Sequence, residues 1–419
     1  MGRKVFLLGG ANTPFIGKGH PDFIWKRHPE YGSRENPTIH ELIASAADKA
    51  SVECRVAFDA VDQGFIGNFL GELFVSQGHL GAALAGANGG LEGTPMMRVE
   101  GACASGGLAA LCGAQAIAAG ADVVLVAGAE VQTTTSARVG GDYLARAAHY
   151  ERQRPLDDFT FPAIFADRTR HYREAFGVSE ADIGLAAVKA YANANRNELA
   201  HMNTRKMDAE TASAASETNP NFLSNPECAE YLKVSDCSQV SDGASALFLV
   251  SEEGLSKVGA SAADAIELVG TGSATASLYT DGSRTALETT ALAANRAYQA
   301  AGLEASDVDV AEVHDCFTIA EVLMYEALGF AAPGEGTRLL REGRTEISGD
   351  LPVNTGGGLV GFGHPVGATG VKQMIEIWRQ MKGRCGAYQV SGNMNVGLTA
   401  NMGGDDKSVV VGMFRNVEG

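Results

Sequence analysis

The chain has 419 residues, enough for two or three domains and a large buried core, and its 45% hydrophobic content with 52 glycines excludes a disordered polymer. A formal net charge of -17 leaves no basic face for nucleic acid or an anionic membrane, and no run approaches the roughly 20 apolar residues of a spanning helix. Seven unevenly placed cysteines without a CxxC pair, together with a short apolar run in MGRKVFLLGG that is no signal peptide, predict a reducing, cytoplasmic location.

Taken in order, short apolar runs alternate with alanine-rich helical patterns. KVFLLGG reads as a strand, TIHELIASAADKAS as a helix and VDQGFIGNF as a second strand. GACASGGLAAL then opens another helix, and ADVVLVAGAE is a further strand. The alternation predicts an α/β fold with a mainly parallel sheet. From Gly140 to Val234 the texture turns polar, aromatic and arginine-containing, as an insertion would. DGASALFLVSEE restores the strand pattern, and a second α/β half starts near Ile266. The boundaries that follow are 1–139 with 235–265 for the first half, 140–234 for the insert and 266–419 for the second half. A Gly-rich turn feeding a helical segment occurs in both halves, around Cys103 and around His364, which suggests a duplicated unit whose two turns meet at one seam.

Cys103 sits at a helix start, where the helix dipole and backbone N–H groups favour thiolate and can lower its pKa to roughly 3.5 to 7.5. A buried cysteine can equally be a small hydrophobe. In VHDCFTIAE, His314 and Cys316 lie two apart on an extended segment, so both side chains face one side. No further ligand accompanies them at metal spacing, so no metal is expected. NTGGGLVGFGHPVGATG crowds glycines around His364. Gly356, Gly358 and Gly361 satisfy GxGxxG, but the preceding SGDLPVNT is too polar for the strand of a dinucleotide fingerprint. Two cysteines and two histidines at such turns suit covalent acyl transfer, with one thiol holding the acyl group and the other moving a proton.

CASGG, HDCF and GHPVGATG, in that order, resemble the thiolase superfamily, and HDCF resembles the sterol-carrier-protein type in particular. The resemblance implies the thiolase fold, two similar α/β halves in a five-layered αβαβα core with an inserted loop domain, and a homodimer. It implies that Cys103 is the acylated nucleophile, His364 its base, and His314 with His364 the oxyanion hole for a thioester enolate. The backbone N–H groups of Cys103 and Gly403 would form a second hole. Many thiolases keep an acid/base cysteine in a C-terminal CxG, where this chain has Asn401, Met402 and Gly403. Cys316 takes that role by resemblance, and Asn401, with nothing to titrate, is expected to matter little. Acyl-CoA, acetyl-CoA and coenzyme A are the implied substrates, with no bound cofactor. A thiolase-fold enzyme with a non-CoA acceptor, or a weakly catalytic acyl-CoA-binding subunit of a larger assembly, are the alternatives.

Overall fold

The computed structural model describes residues 2–417, with nine strands among them: β1 Phe6–Asn12, β2 Gln63–Gly67, β3 Met96–Val99, β4 Val123–Glu130, β5 Gly243–Val250, β6 Ile266–Thr275, β7 Val310–Val313, β8 Val396–Gly403 and β9 Ser408–Asn416. From edge to edge they run β3-β2-β4-β5-β1-β6-β9-β8-β7. Five strands of the first half and four of the second therefore join only where β1 meets β6, through Phe6 with Glu267 and Leu7 with Ile266.

The sheet is mixed, which corrects the mainly parallel expectation. Only β2 with β3, β2 with β4, and β7 with β8 are parallel. β9 follows β8 after the tight turn 404–407, and so short a link forces an antiparallel hairpin. β5 returns only after the long polar stretch and inserts antiparallel between β4 and β1.

Helices α1 Ile39–Cys54, α2 Ser105–Ala118, α3 Thr160–Phe176, α4 Glu180–Ala194, α5 Glu288–Ala301, α6 Thr318–Ala327 and α7 Thr369–Met381 build the layers. Side chains alternate along β4, so Val123, Leu125 and Ala127 pack with Ile43 and Ala47 of α1. Val124 and Val126 instead meet Ala110 and Ala114 of α2 and Ile375 and Trp378 of α7. Behind the second half, Ala293 and Ala297 of α5 and Val322 and Leu323 of α6 share a core with Val411 and Met413. Helix, sheet, paired central helices, sheet and helix make the five layers expected. The stretch 140–234 supplies α3 and α4, whose Ile164, Phe165 and Ile183 join that last core.

Glycine sets the crossing of the two central helices. A Cβ on Gly370 would lie 2.2 Å from the Gly107 nitrogen, and one on Gly106 would lie 2.7 Å from the Gly367 carbonyl oxygen. Only backbone fits there, so α2 and α7 touch at their N-terminal ends and the turns that precede them share one place.

Candidate active site

Cys103 stands in a single 3₁₀ turn, Ala102–Ala104, ahead of α2. Ala102 is held in the left-handed region at φ 53°, a conformation that costs an alanine about 1–3 kcal/mol. Its surroundings impose it. Ala102 N–H donates to Glu100 Oε1 at 2.6 Å, Ser105 Oγ donates to the Ala102 carbonyl at 2.6 Å, and Gly101 N–H donates to Ser105 Oγ at 3.0 Å. The constraint turns the Cys103 thiol out of the helix axis into a cavity.

His314 follows β7 directly, and His364 occupies the turn before α7, the two rings meeting edge to face with centroids 5.1 Å apart. One side-chain atom from each of Cys103, His314 and His364 lies within 4.8 Å of the others. Cys316 lines the same cavity, and the nearby Cys103 opposes ionisation of the Cys316 thiol. The four side chains that the sequence singles out are thus collected by the fold from three separated segments. Gly403 closes β8 and packs against the Gly101–Ala104 turn. The backbone N–H groups that favour the Cys103 thiolate are those of Cys103 itself and of Gly404, the residue after Gly403, which also lines the cavity. Asp315 turns away to accept Leu359 N–H at 2.7 Å, tying the HDCF segment to the glycine-rich loop.

The electrostatics differ from expectation in one respect. Burial pushes the Cys103 thiol up to about 12, with Glu130 and Glu100 adding to it, and outweighs the lowering by backbone N–H groups. A depressed thiol was expected from its helix-start position. Instead the group waits as a neutral thiol that needs a base. Burial likewise drives His364 down to about 3, and drives His314 well below the usual imidazole range with help from His364. Both rings are neutral near pH 7, so each presents one N–H donor and one lone-pair acceptor.

Asn401, expected to matter little, joins the site, together with residues that the sequence does not single out. Asn401 on β8 accepts Gly107 N–H on Oδ1 at 3.1 Å and reaches the Cys103 carbonyl at 3.1 Å and His314 Nδ1 at 3.2 Å through Nδ2. Cys237, Ser238 and Gln239 line the cavity, held there by Ser238 N–H donating to the Cys316 carbonyl at 2.9 Å. Phe159, Phe161, Phe165 and Phe222 from the polar stretch join Phe69 and Phe317 to form its walls, and among the described residues no Asp, Glu, Lys or Arg lines it. The cavity has a volume of about 230 Å³.

A thiol, two neutral imidazoles and a second thiol around one apolar cavity define a covalent acyl-transfer site. Comparison with known proteins agrees. Residues 27–253 match the thiolase N-terminal domain and residues 270–415 the thiolase C-terminal domain-like family, so the chain belongs to the thiolase family and its chemistry is thiolase-type acyl transfer. The acetyl-CoA acetyltransferase of Methanothermobacter thermautotrophicus is 33% identical over 92% of this chain and 96% of its own. Sterol carrier protein 2 of Oryctolagus cuniculus is 29% identical over 97% of this chain and 71% of its own. Among solved structures, the Ltp2-ChsH2(DUF35) aldolase superposes with a TM-score of 0.75 at 22% identity, covering 99% of this chain and 98% of the other. No helix among the described residues is long and apolar enough to cross a membrane.

Proposed function

We propose that this chain cleaves 3-ketoacyl-CoA with coenzyme A, or condenses an acyl-CoA with acetyl-CoA in reverse, through an acyl group on Cys103. The convergence of Cys103, His314 and His364 within 4.8 Å, with Cys316 in the same cavity, carries this reading. His364 takes the Cys103 proton and the sulfur attacks the 3-keto carbon. The bond between C2 and C3 then breaks, leaving an acetyl-CoA enolate whose oxygen accepts hydrogen bonds from His314 and His364. Cys316 protonates the enolate carbon; the coenzyme A thiol then gives its proton to the Cys316 thiolate and takes the acyl group, and Cys103 leaves as thiolate and recovers its proton from His364. Backbone N–H groups of Cys103 and Gly403 serve the tetrahedral intermediates in this scheme. Each well-aimed donor of this kind contributes about 2.7–4 kcal/mol.

Six phenylalanines and the lack of charged lining residues favour an uncharged, apolar acyl group over a dicarboxylic one. A homodimer in the cytoplasm completes the proposal. Edge strand β3, with Met97 48% exposed, offers an unpaired ladder on which a second copy could continue the sheet. Incubation of the purified chain with acetoacetyl-CoA and coenzyme A, following loss of the 3-ketothioester and gain of acetyl-CoA, tests the activity. A longer 3-ketoacyl-CoA tests the size preference. No turnover of either thioester, with Cys103 intact, overturns the reading. A second reading, a subunit active only within a larger assembly, draws support from the two-component name of the Ltp2-ChsH2(DUF35) aldolase.

A further inference from the structure

We infer that Asn401 is a positioning residue that fixes His314 as its Nε2–H tautomer, making that ring a hydrogen-bond donor to the reacting oxygen. The inference rests on the acyl-transfer reading above and goes beyond it. Asn401 is 2% exposed on β8 and has three partners, two of which are backbone groups with fixed roles. Gly107 N–H can only donate, so the amide atom it meets at 3.1 Å is the oxygen. The Cys103 carbonyl can only accept, so the atom it meets at 3.1 Å is the NH₂ nitrogen. These two contacts allow a single orientation of the amide.

The same NH₂ group faces His314 Nδ1 at 3.2 Å. A donor pointed at Nδ1 requires a lone pair there. Because burial keeps this ring neutral, its single proton must then sit on Nε2, the nitrogen left for the cavity. An Nε2–H can stabilise a developing enolate oxygen, whereas the other tautomer would present a lone pair to it and repel it. The assignment also bears on metal binding. Cys103, His314 and His364 have the composition of a soft-metal site, yet His314 in this tautomer offers the cavity a proton where a metal needs a lone pair.

The test is Asn401→Asp. A carboxylate of the same shape still accepts Gly107 N–H but cannot donate to His314 Nδ1, so the proton moves to Nδ1. Nitrogen-15 NMR of histidine-labelled protein should show protonated Nε2 at His314 in the wild type and protonated Nδ1 in the variant. Exchange of acetyl-CoA methyl protons with deuterium should fall about 10²–10³-fold, while acetylation of Cys103 by acetyl-CoA persists. His314→Asn supplies a donor that has no tautomers, so adding Asn401→Asp to it should lower exchange less than about threefold relative to His314→Asn alone. A structural role for Asn401 would give the same loss in both backgrounds, and that result overturns the inference. Unprotonated Nε2 at His314 in the wild type also overturns it. The tautomer spectrum needs no turnover, so a wild type that neither acetylates nor exchanges would defeat the acyl-transfer reading separately.

Discussion

His364 Nδ1 lies 2.7 Å from Thr369 Oγ1, whose own hydroxyl reaches the Pro365 carbonyl at 3.2 Å. With its proton on that carbonyl, the threonine accepts from Nδ1–H, and the Nε2 lone pair of His364 is free for the cavity. His364 and His314 are therefore wired in opposite senses, as an acceptor and a donor facing one substrate.

That wiring predicts how Cys103 reacts. The thiol is pushed up to about 12 in the free protein, so thiolate forms only as pH rises. Alkylation of Cys103 by iodoacetamide, followed by peptide mass spectrometry, should climb across pH 7 to 10 with no plateau near neutrality. His364→Ala should slow it by about 10²–10⁴-fold near pH 7.5 through loss of the general base. A plateau near pH 7 that survives His364→Ala would assign thiol activation to the helix start alone.

Cys316 carries a separate prediction. Cys316→Ala should leave Cys103 open to acetylation by acetyl-CoA, since that half-reaction draws on His364. It should abolish exchange of acetyl-CoA methyl protons with deuterium, read by proton NMR. Burial and the neighbouring Cys103 hold the Cys316 thiol well up, which keeps it protonated and ready to quench the enolate. Wild-type exchange in the variant would move the acid/base role elsewhere in the cavity.

The difference between what the sequence told and what it hid follows from chain separation. CASGG, HDCF and GHPVGATG are contiguous, so residue type and local turn chemistry suffice to find Cys103, His314, Cys316 and His364. Asn401 acts through Gly107 and Cys103, almost 300 positions away, and no local pattern reports that contact. The left-handed Ala102 is equally invisible, because its conformation is imposed by hydrogen bonds with the Glu100 and Ser105 side chains that residue type alone does not report. Strand direction failed for a related reason. Apolar runs locate strands, but the four-residue turn between β8 and β9 decides their sense.

Behind the site, Lys372 Nζ on α7 donates to Glu312 Oε2 at 2.7 Å, with both side chains 1% exposed. Glu312 lies two residues before His314, so the pair joins the two elements that carry the histidines. Removing one partner strands a buried charge. Lys372→Met should destabilise the protein by about 3–5 kcal/mol in urea unfolding, and adding Glu312→Leu should recover much of that loss. A double variant whose loss equals the sum of the Lys372→Met and Glu312→Leu single losses would show that the pair is uncoupled.

The last prediction concerns acid. His201 is fully buried, with Nδ1 2.9 Å from Ser241 Oγ, which in turn accepts His364 N–H at 3.3 Å. Burial lowers its pKa from 6.5 to about 4. The sign follows from linkage: the unfolded chain binds a proton at this residue below pH 6.5, whereas the folded chain resists one until about pH 4. The stabilisation is full above pH 6.5, falls as pH drops through the interval, and is lost below about pH 4. At about 1.4 kcal/mol per pH unit, this one group removes roughly 3 kcal/mol over that range. His314 and His364, also buried and neutral, act in the same direction. Glu130 and Asp242, raised by burial to about 7 and about 6, take up protons in the folded chain and offset part of the loss. Urea midpoints measured from pH 7.5 to 4.5 should therefore fall less steeply in His201→Asn than in the wild type, by up to one proton's worth of slope. Parallel curves would mean that His201 takes up its proton over the same pH range in the folded and unfolded chains, so that burial behind the His364 turn does not hold it neutral.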